Sequence, residues 1–266
     1  MNTDVFDLYP GSRPLLVSLP HAGTRIPPEL RASYVRRAEQ VEDTDWHLDQ
    51  LYAFVRGLGA SLIVPHYSRF VIDLNRPPDN IPMYAGANNT ELCPTRFFTG
   101  DPLYRAGRAP DAAAINERRS RYWQPYHTAL QGELARLKAE HGHAILFDGH
   151  SIRSELPWLF EGKLPDLNLG TASGASCAPS LCTALQAALQ AQSGFSHVVD
   201  GRFKGGYITR SFGRPAIGQH AVQLEMCWST YMQETPPYAV DNARAAALAP
   251  VLHSLVQTML DWKPDA

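Results

Sequence analysis

The feature that most constrains this chain is the run Ala144-Ile145-Leu146-Phe147-Asp148-Gly149-His150-Ser151, where a short apolar stretch stops at an acid, a glycine and a histidine. Apolar runs of this length between turn signals read as buried strands of a parallel sheet. Ligands of such sheets sit just beyond the carboxyl ends of the strands, so His150 stands at a binding edge. Three further segments repeat the design: Leu15–Leu19 runs into Pro20-His21-Ala22-Gly23, Phe70–Leu74 into Asn75-Arg76, and Ala221–Leu224 into Glu225. Two histidines, an arginine and a glutamate at strand ends suit hydrolysis at a metal ion.

The chain has 266 residues, 44% of them hydrophobic, enough for one substantial core and a single domain spanning residues 1–266. A formal net charge of -2 offers no cationic excess to hold a polyanion, which argues against nucleic acid as a partner. Cys93, Cys177, Cys182 and Cys227 form no CxxC pair, and reduced thiols in a cytoplasmic protein are expected. The segment Met1–Pro14 lacks the apolar core of a signal sequence, and no window reaches the roughly 18 apolar residues of a membrane helix. No membrane partner is expected.

Gly23 lets the chain turn after the first strand and leaves His21 at the sheet edge. Ile26-Pro27-Pro28-Glu29 opens a helical turn with proline where a missing N–H costs little. In Asp43-Thr44-Asp45-Trp46-His47-Leu48-Asp49, Thr44 or Asp45 can cap a helix carrying Leu48, Leu51, Tyr52 and Val55 on one face. Asp45 beside His21 would complete a two-histidine, one-carboxylate zinc site, with His47 as its rival. Strands are expected over Gly59–Val64 and Phe70–Leu74, and Arg76 after the latter offers a bidentate fork to a carboxylate. The stretch Asp79–Pro110, which includes Pro82, Gly86 and Asn88, reads as a long irregular loop over the site.

Trp123, Tyr126, Leu130, Leu134 and Leu137 share one face of a long helix over Asp111–Glu140, kinked at Pro125 and closed by Gly142. Ser151–Ser176 reads as a second long loop. It does not make a serine hydrolase of the chain, because Arg153 stands where the second glycine of G-x-S-x-G belongs. A helix over Ala178–Ala191 and a strand over Phe195–Val199 follow. The glycine-rich stretch Asp200–Arg210, with Arg202, Lys204 and Arg210 and then Arg214, suits a small anion and lacks P-loop spacing. His220 precedes the last strand. Glu225 lies in an apolar run where an unpaired carboxylate would be costly, which marks it as functional or metal-linked. The final helix, through Leu248, Leu252, Leu255 and Met259, is core packing.

Taken together, Ser18-Leu19-Pro20-His21-Ala22-Gly23, Asp43-Thr44-Asp45-Trp46-His47, Asp73-Leu74-Asn75-Arg76, Phe147-Asp148-Gly149-His150-Ser151, Leu167-Asn168-Leu169-Gly170-Thr171 and Lys204-Gly205-Gly206-Tyr207-Ile208-Thr209 resemble the N-formylglutamate amidohydrolase family of bacterial histidine degradation. More distantly, the chain is similar to zinc carboxypeptidases and the aspartoacylase group. Their signatures are H-x-x-E, a later histidine, an Asn-Arg pair and a late glutamate, and His21, His150, Asn75-Arg76 and Glu225 match in order. Thr24 stands where the glutamate of H-x-x-E belongs, so the carboxylate ligand is expected from Asp45.

The resemblance implies a three-layer α/β/α fold, phosphorylase/hydrolase-like, with a mostly parallel central sheet. It implies one divalent ion, zinc or alternatively cobalt, on His21, Asp45 and His150, with Glu225 as catalytic base. The implied substrate is a small dianion, N-formyl-L-glutamate, hydrolysed to formate and L-glutamate. Asn75 and Arg76 would hold one carboxylate; Arg202, Lys204, Arg210 or Arg214 would supply a second cation, and Arg153 or His220 a donor to the oxyanion. A hydrolase of another N-acyl amino acid, or an inert ligand-binding relative, would keep much of the same pattern.

Overall fold

The computed structural model describes residues 4–82 and 88–264; Gly86 of the long loop lies outside the described residues. Seven strands, β1 (Phe6–Tyr9), β2 (Leu15–Ser18), β3 (Ser61–Pro65), β4 (Ala144–Ile152), β5 (Leu167–Gly170), β6 (His197–Val199) and β7 (Gln219–Cys227), form one sheet in the order β1-β3-β2-β4-β7-β5-β6. Strands β3, β2, β4 and β7 run parallel, β1 and β5 pair antiparallel to their neighbours, and β6 is parallel to β5. The helices are α1 (Pro28–Arg31), α2 (Leu48–Leu51), α3 (Ala112–Arg118), α4 (Gln124–His141), α5 (Pro179–Gln190), α6 (Tyr207–Phe212) and α7 (Asn242–Asp261).

Strand alternation builds the layers. Ile145 and Phe147 of β4, with Val222 and Leu224 of β7, pack under Leu181, Leu185 and Leu189 of α5 and Leu248, Leu252 and Leu255 of α7. The neighbouring residues Ala144 and Leu146, with Ala221, face the other way onto Tyr126, Leu130, Leu134 and Leu137 of α4. Both faces are therefore covered, as the continuous apolar runs require. All nine residues of β4 are buried, so the row Ala144, Leu146, Asp148, His150 changes from apolar to ionisable without leaving the interior of the α4 side.

Helix ends follow their sequence signals. Asp111 accepts the Ala114 N–H at 2.8 Å, and Gly142 ends α4 at φ 79°. The expected break at Pro125 takes the form of a π-helical turn, Arg119–Trp123, just before it, where the missing proline N–H disturbs the ladder. Neither Thr44 nor Asp45 caps α2: its N-cap is His47, at φ 62°.

Three segments differ from expectation. Phe70–Leu74 is not a strand: Asp73 N–H donates to Leu92 O at 2.7 Å, and Phe70, Val71, Ile72 and Leu74 pack as a buried irregular segment. A buried loop and a buried strand bury the same residue types, so an apolar run without alternation cannot separate them. The short strands β1 and β5 were not expected; β5 lies inside the segment read as a second loop. Among the described residues no helix is long and apolar enough to cross a membrane.

Candidate metal centre

His21 follows β2 across the turn Leu19–Ala22, closed by Ala22 N–H to Leu19 O at 3.2 Å. Its carbonyl accepts the Asp45 N–H at 3.1 Å, so the two segments are tied at the backbone. Thr44 secures the turn before Asp45 by donating its hydroxyl to Val41 O at 2.6 Å. The Asp45 carboxylate then reaches the end of β4, where its Oδ2 accepts from Ser151 N–H at 3.2 Å and lies 3.1 Å from His150 Nδ1.

One ligand atom from each of His21, Asp45 and His150 converges within 4.8 Å, and all three residues are buried. The two imidazoles are arranged alike. His21 Nε2 lies 2.7 Å from Asp73 Oδ1, and His150 Nε2 lies 3.0 Å from Asp148 Oδ2. With each Nε2–H donated to a carboxylate, each Nδ1 lone pair points at Asp45. His21 Nδ1 and Asp45 Oδ1 are buried and have no hydrogen-bond partner. Buried polar atoms of this kind demand a partner, and two nitrogens and an oxygen form a ligand set that zinc accepts. Carboxylates behind ligating histidines fix the tautomer and raise the ligand's basicity. The residues present therefore fit one divalent ion. His47 points elsewhere, with Nε2 2.8 Å from Tyr238 O.

The electrostatics favour a cation here. Burial by itself raises the Asp45 pKa, but the His150 and His21 imidazoles beside it outweigh that and hold the carboxyl below its ordinary value. Asp73 behaves likewise: burial raises it, and the charges of His21, Arg69 and Arg76 carry it well below the usual range. Burial disfavours a charged His150, yet the Asp148 carboxylate reverses the balance and raises its pKa.

Glu225 is the residue opposite His150 in the β4–β7 register, so both side chains rise from the same face. Burial pushes its carboxyl up to about 8, with Asp45 and Asp148 adding to the rise and His150 and Arg69 opposing it. Gln223, two residues earlier on the same face, donates Nε2–H to Glu225 Oε2 at 3.3 Å and accepts Gly206 N–H at 2.7 Å. Asn75 presses on Gly206, where a Cβ would stand 2.3 Å from Asn75 Nδ2. That glycine lets Asn75 Nδ2 reach within 2.9 Å of His150 Nε2 while its Oδ1 accepts Ile208 N–H at 2.8 Å.

His21, His150 and Glu225 open on a cleft also lined by Arg69, Arg76 and Arg202. Arg76 is braced by carbonyls, donating Nε–H to Thr90 O at 3.0 Å and Nη1–H to Asn75 O at 2.9 Å. Arg69, absent from the sequence reading of the site, donates to Asp73 at 2.6 Å and lies 3.8 Å from Asp45. Asp148 and Gln223 were also missed as site residues; each lies two positions before an identified strand-end residue, the spacing that puts side chains on one face.

Several expected substrate contacts are not brought to the cleft. His220 pairs with Ile145, at the opposite end of the strands from the His150–Glu225 pair; its Nδ1 accepts Ala178 N–H at 3.1 Å. Lys204 and Arg210 are exposed, Arg210 donating back to Gly205 O at 2.9 Å, and Arg214 is likewise exposed. Arg153 is not among the cleft residues; its guanidinium lies 5.6 Å from the Trp228 ring centroid. Of the four cations considered for the second carboxylate, Arg202 reaches the cleft.

Fold and site together define a mixed-sheet α/β protein with a buried two-histidine, one-carboxylate centre at its strand ends and a carboxylate base candidate beside it. The model of the N-formylglutamate amidohydrolase family matches residues 13–232, and the chain belongs to that family. It is 51% identical over 262 residues to the N-formylglutamate deformylase of Pseudomonas putida, covering 97% of this chain and 96% of that one. It is 50% identical over 263 residues to the N-formylglutamate deformylase of Pseudomonas aeruginosa, with 97% of each covered. In fold it is similar to the crystal structure of N-formylglutamate amidohydrolase from Ralstonia eutropha JMP134, with TM-score 0.80 at 24% identity over 97% of this chain and 96% of that one. It is similar in fold also to a protein of Agrobacterium tumefaciens, with TM-score 0.71 at 17% identity, 97% of this chain and 95% of that one being covered.

Proposed function

We propose that this chain hydrolyses N-formyl-L-glutamate to formate and L-glutamate, as a step of histidine degradation, using one divalent ion held by His21, Asp45 and His150. The observation that carries the reading is the convergence of three buried ligand atoms, two residues of the set bearing unpartnered atoms, beside Glu225. Bound there, zinc or cobalt would supply a Lewis acid and lower the pKa of a water from 15.7 to roughly 7.

The protein's own residues do the rest. Glu225 takes the water's proton as oxygen adds to the formyl carbon, and returns it to the amide nitrogen as the C–N bond breaks. Gln223 holds the Glu225 carboxyl at 3.3 Å in the orientation this needs. Arg69, which lines the cleft and is fixed by Asp73, sets positive charge beside the developing oxyanion. Arg76, braced on Thr90 and Asn75, presents a guanidinium to a substrate carboxylate. The names of the Pseudomonas relatives favour the formyl group and glutamate over other N-acyl amino acids. The described cysteines are all free, in keeping with a reducing cytoplasm.

The test is formate release from N-formyl-L-glutamate before chelation, after chelation, and after zinc or cobalt is restored. Turnover lost and regained with the ion is expected. Turnover indifferent to chelation would overturn the metal assignment, and no turnover in any state would overturn the substrate.

A further inference from the structure

We infer that Arg202 is a specificity residue that receives the side-chain carboxylate of an acidic N-acyl amino acid, leaving Arg76 for the α-carboxylate; this deepens the function proposed above and rests on it. A dianionic substrate needs two cations at different distances from the breaking bond. Its α-carboxylate sits one carbon from the scissile nitrogen, and its second carboxylate lies two methylenes farther out. Arg76 belongs to the segment that carries Asp73, the partner of His21, and Asn75, whose amide donates to Asp148 behind His150. Its distance from the reacting atoms is therefore fixed by the same contacts that fix the centre.

Arg202 is mounted differently. Its Nη2–H donates to Leu159 O at 3.1 Å, and its guanidinium carbon lies 5.2 Å from the Phe203 ring centroid. Phe203 in turn meets Phe160 edge-on, with centroids 6.1 Å apart. Phe160 belongs to a small cluster with Phe98, Ile152, Leu156 and Leu164, separate from the two main core layers. Phe98, Ile152, Leu159 and Phe203 line the same cleft as Arg202. An apolar wall with a guanidinium on it matches two methylenes ending in a carboxylate, and the planar fork matches that carboxylate bidentately. Because Arg202 rests on this separate cluster, its replacement leaves the supports of His21 and His150 in place.

The experiment compares kcat/KM for N-formyl-L-glutamate, its side-chain amide N-formyl-L-glutamine and its α-amide N-formyl-L-isoglutamine, in wild type, Arg202→Met and Arg202→Lys. Ratios taken on one preparation cancel the fraction of folded, metal-loaded protein. In Arg202→Met the preference for glutamate over glutamine is expected to fall by roughly ten- to 150-fold, the equivalent of one hydrogen-bonded charge, while the preference over the α-amide stays. Arg202→Lys, which keeps the charge without the fork, is expected to fall less, and it carries the readout if the methionine variant does not fold. An unchanged glutamate-to-glutamine ratio, or a collapse of the α-amide ratio instead, overturns the assignment. Wild-type protein that hydrolyses none of the three overturns the proposed function and this inference with it, whereas wild-type turnover with unchanged ratios overturns this inference alone.

Discussion

Replacing Asp148 tests whether the carboxylates behind the two histidines act through charge or only through geometry. Asp148 is wholly buried and accepts from His150 Nε2 at 3.0 Å, Ser18 Oγ at 3.2 Å and Asn75 Nδ2 at 3.4 Å. Asparagine can keep its oxygen on His150 and Asn75, which share Oδ2, and turn its amide to Ser18, so Asp148→Asn removes the charge and spares the arrangement. A hydrogen bond to a charged group contributes about 1.5–3 kcal/mol and a neutral one about 0.5–1.5. The difference, about 1–1.5 kcal/mol, corresponds to metal binding weaker by roughly five- to 13-fold. Asp148→Ala also frees the imidazole to turn: metal affinity is expected to drop by roughly ten- to 100-fold. The stranded His150 N–H should lower the stability of the metal-free protein by about 1–3 kcal/mol. The assay is competition for zinc against a chelating dye, with urea unfolding of the stripped protein beside it. Equal zinc affinity in wild type and Asp148→Asn would refute the role of charge, and equal affinity in Asp148→Ala would refute any role behind His150.

Three further outcomes are expected. Glu225→Gln should lower kcat by roughly 100- to 10,000-fold while zinc content by elemental analysis is retained; a kcat close to wild type would remove Glu225 from proton transfer. Gly206→Ala places a Cβ 2.3 Å from Asn75 Nδ2 and should cost about 1–3 kcal/mol in urea unfolding with weakened zinc binding, since Asn75 is held by Ile208 and by Asp148, the carboxylate behind His150. Burial lowers the His127 pKa from 6.5 to about 4, so its neutral form is favoured in the folded state. The unfolded chain then binds a proton that the folded one refuses: the contribution is intact above pH 6.5 and is lost as pH falls toward 4, by at most about 3 kcal/mol. Urea midpoints from pH 7.5 to 5 should fall less steeply in His127→Gln, and parallel slopes would refute the assignment.

The parts of the site legible in the sequence are those where one strand end reports its own chemistry. The run ending at His150 names a strand, its polarity and its edge, and His21 and Glu225 follow by the same reasoning. Asp45 was legible as a carboxylate in need of a role. What was not legible depends on where segments cross. His220 stands beside the same apolar run as Glu225, but at the starting end of a parallel strand, and periodicity does not say which end holds the ligand. Lys204, Arg210 and Arg202 are equivalent in a list of cations among glycines; only packing on Leu159 and Phe203 turns Arg202 inward. Phe70–Leu74 has strand composition because it is buried, and its backbone finds partners such as Leu92 outside the sheet. The fold class was legible because the apolar runs at Leu15–Leu19, Gly59–Val64, Ala144–Phe147 and Ala221–Leu224, with helices between them, admit few arrangements.

The nine-residue pairing of β4 with β7 has a meaning beyond stability. A slip by one position would turn every side chain of one strand to the other face, carrying Glu225 from His150 into the layer packed under α5 and α7 and exchanging it for Leu224. Such a misaligned chain would hold a buried acid among leucines and no carboxylate opposite His150. Correct alignment of two strands and assembly of the proposed centre are thus one folding event, and the specific activity of refolded protein is expected to count the chains whose central strands found their register.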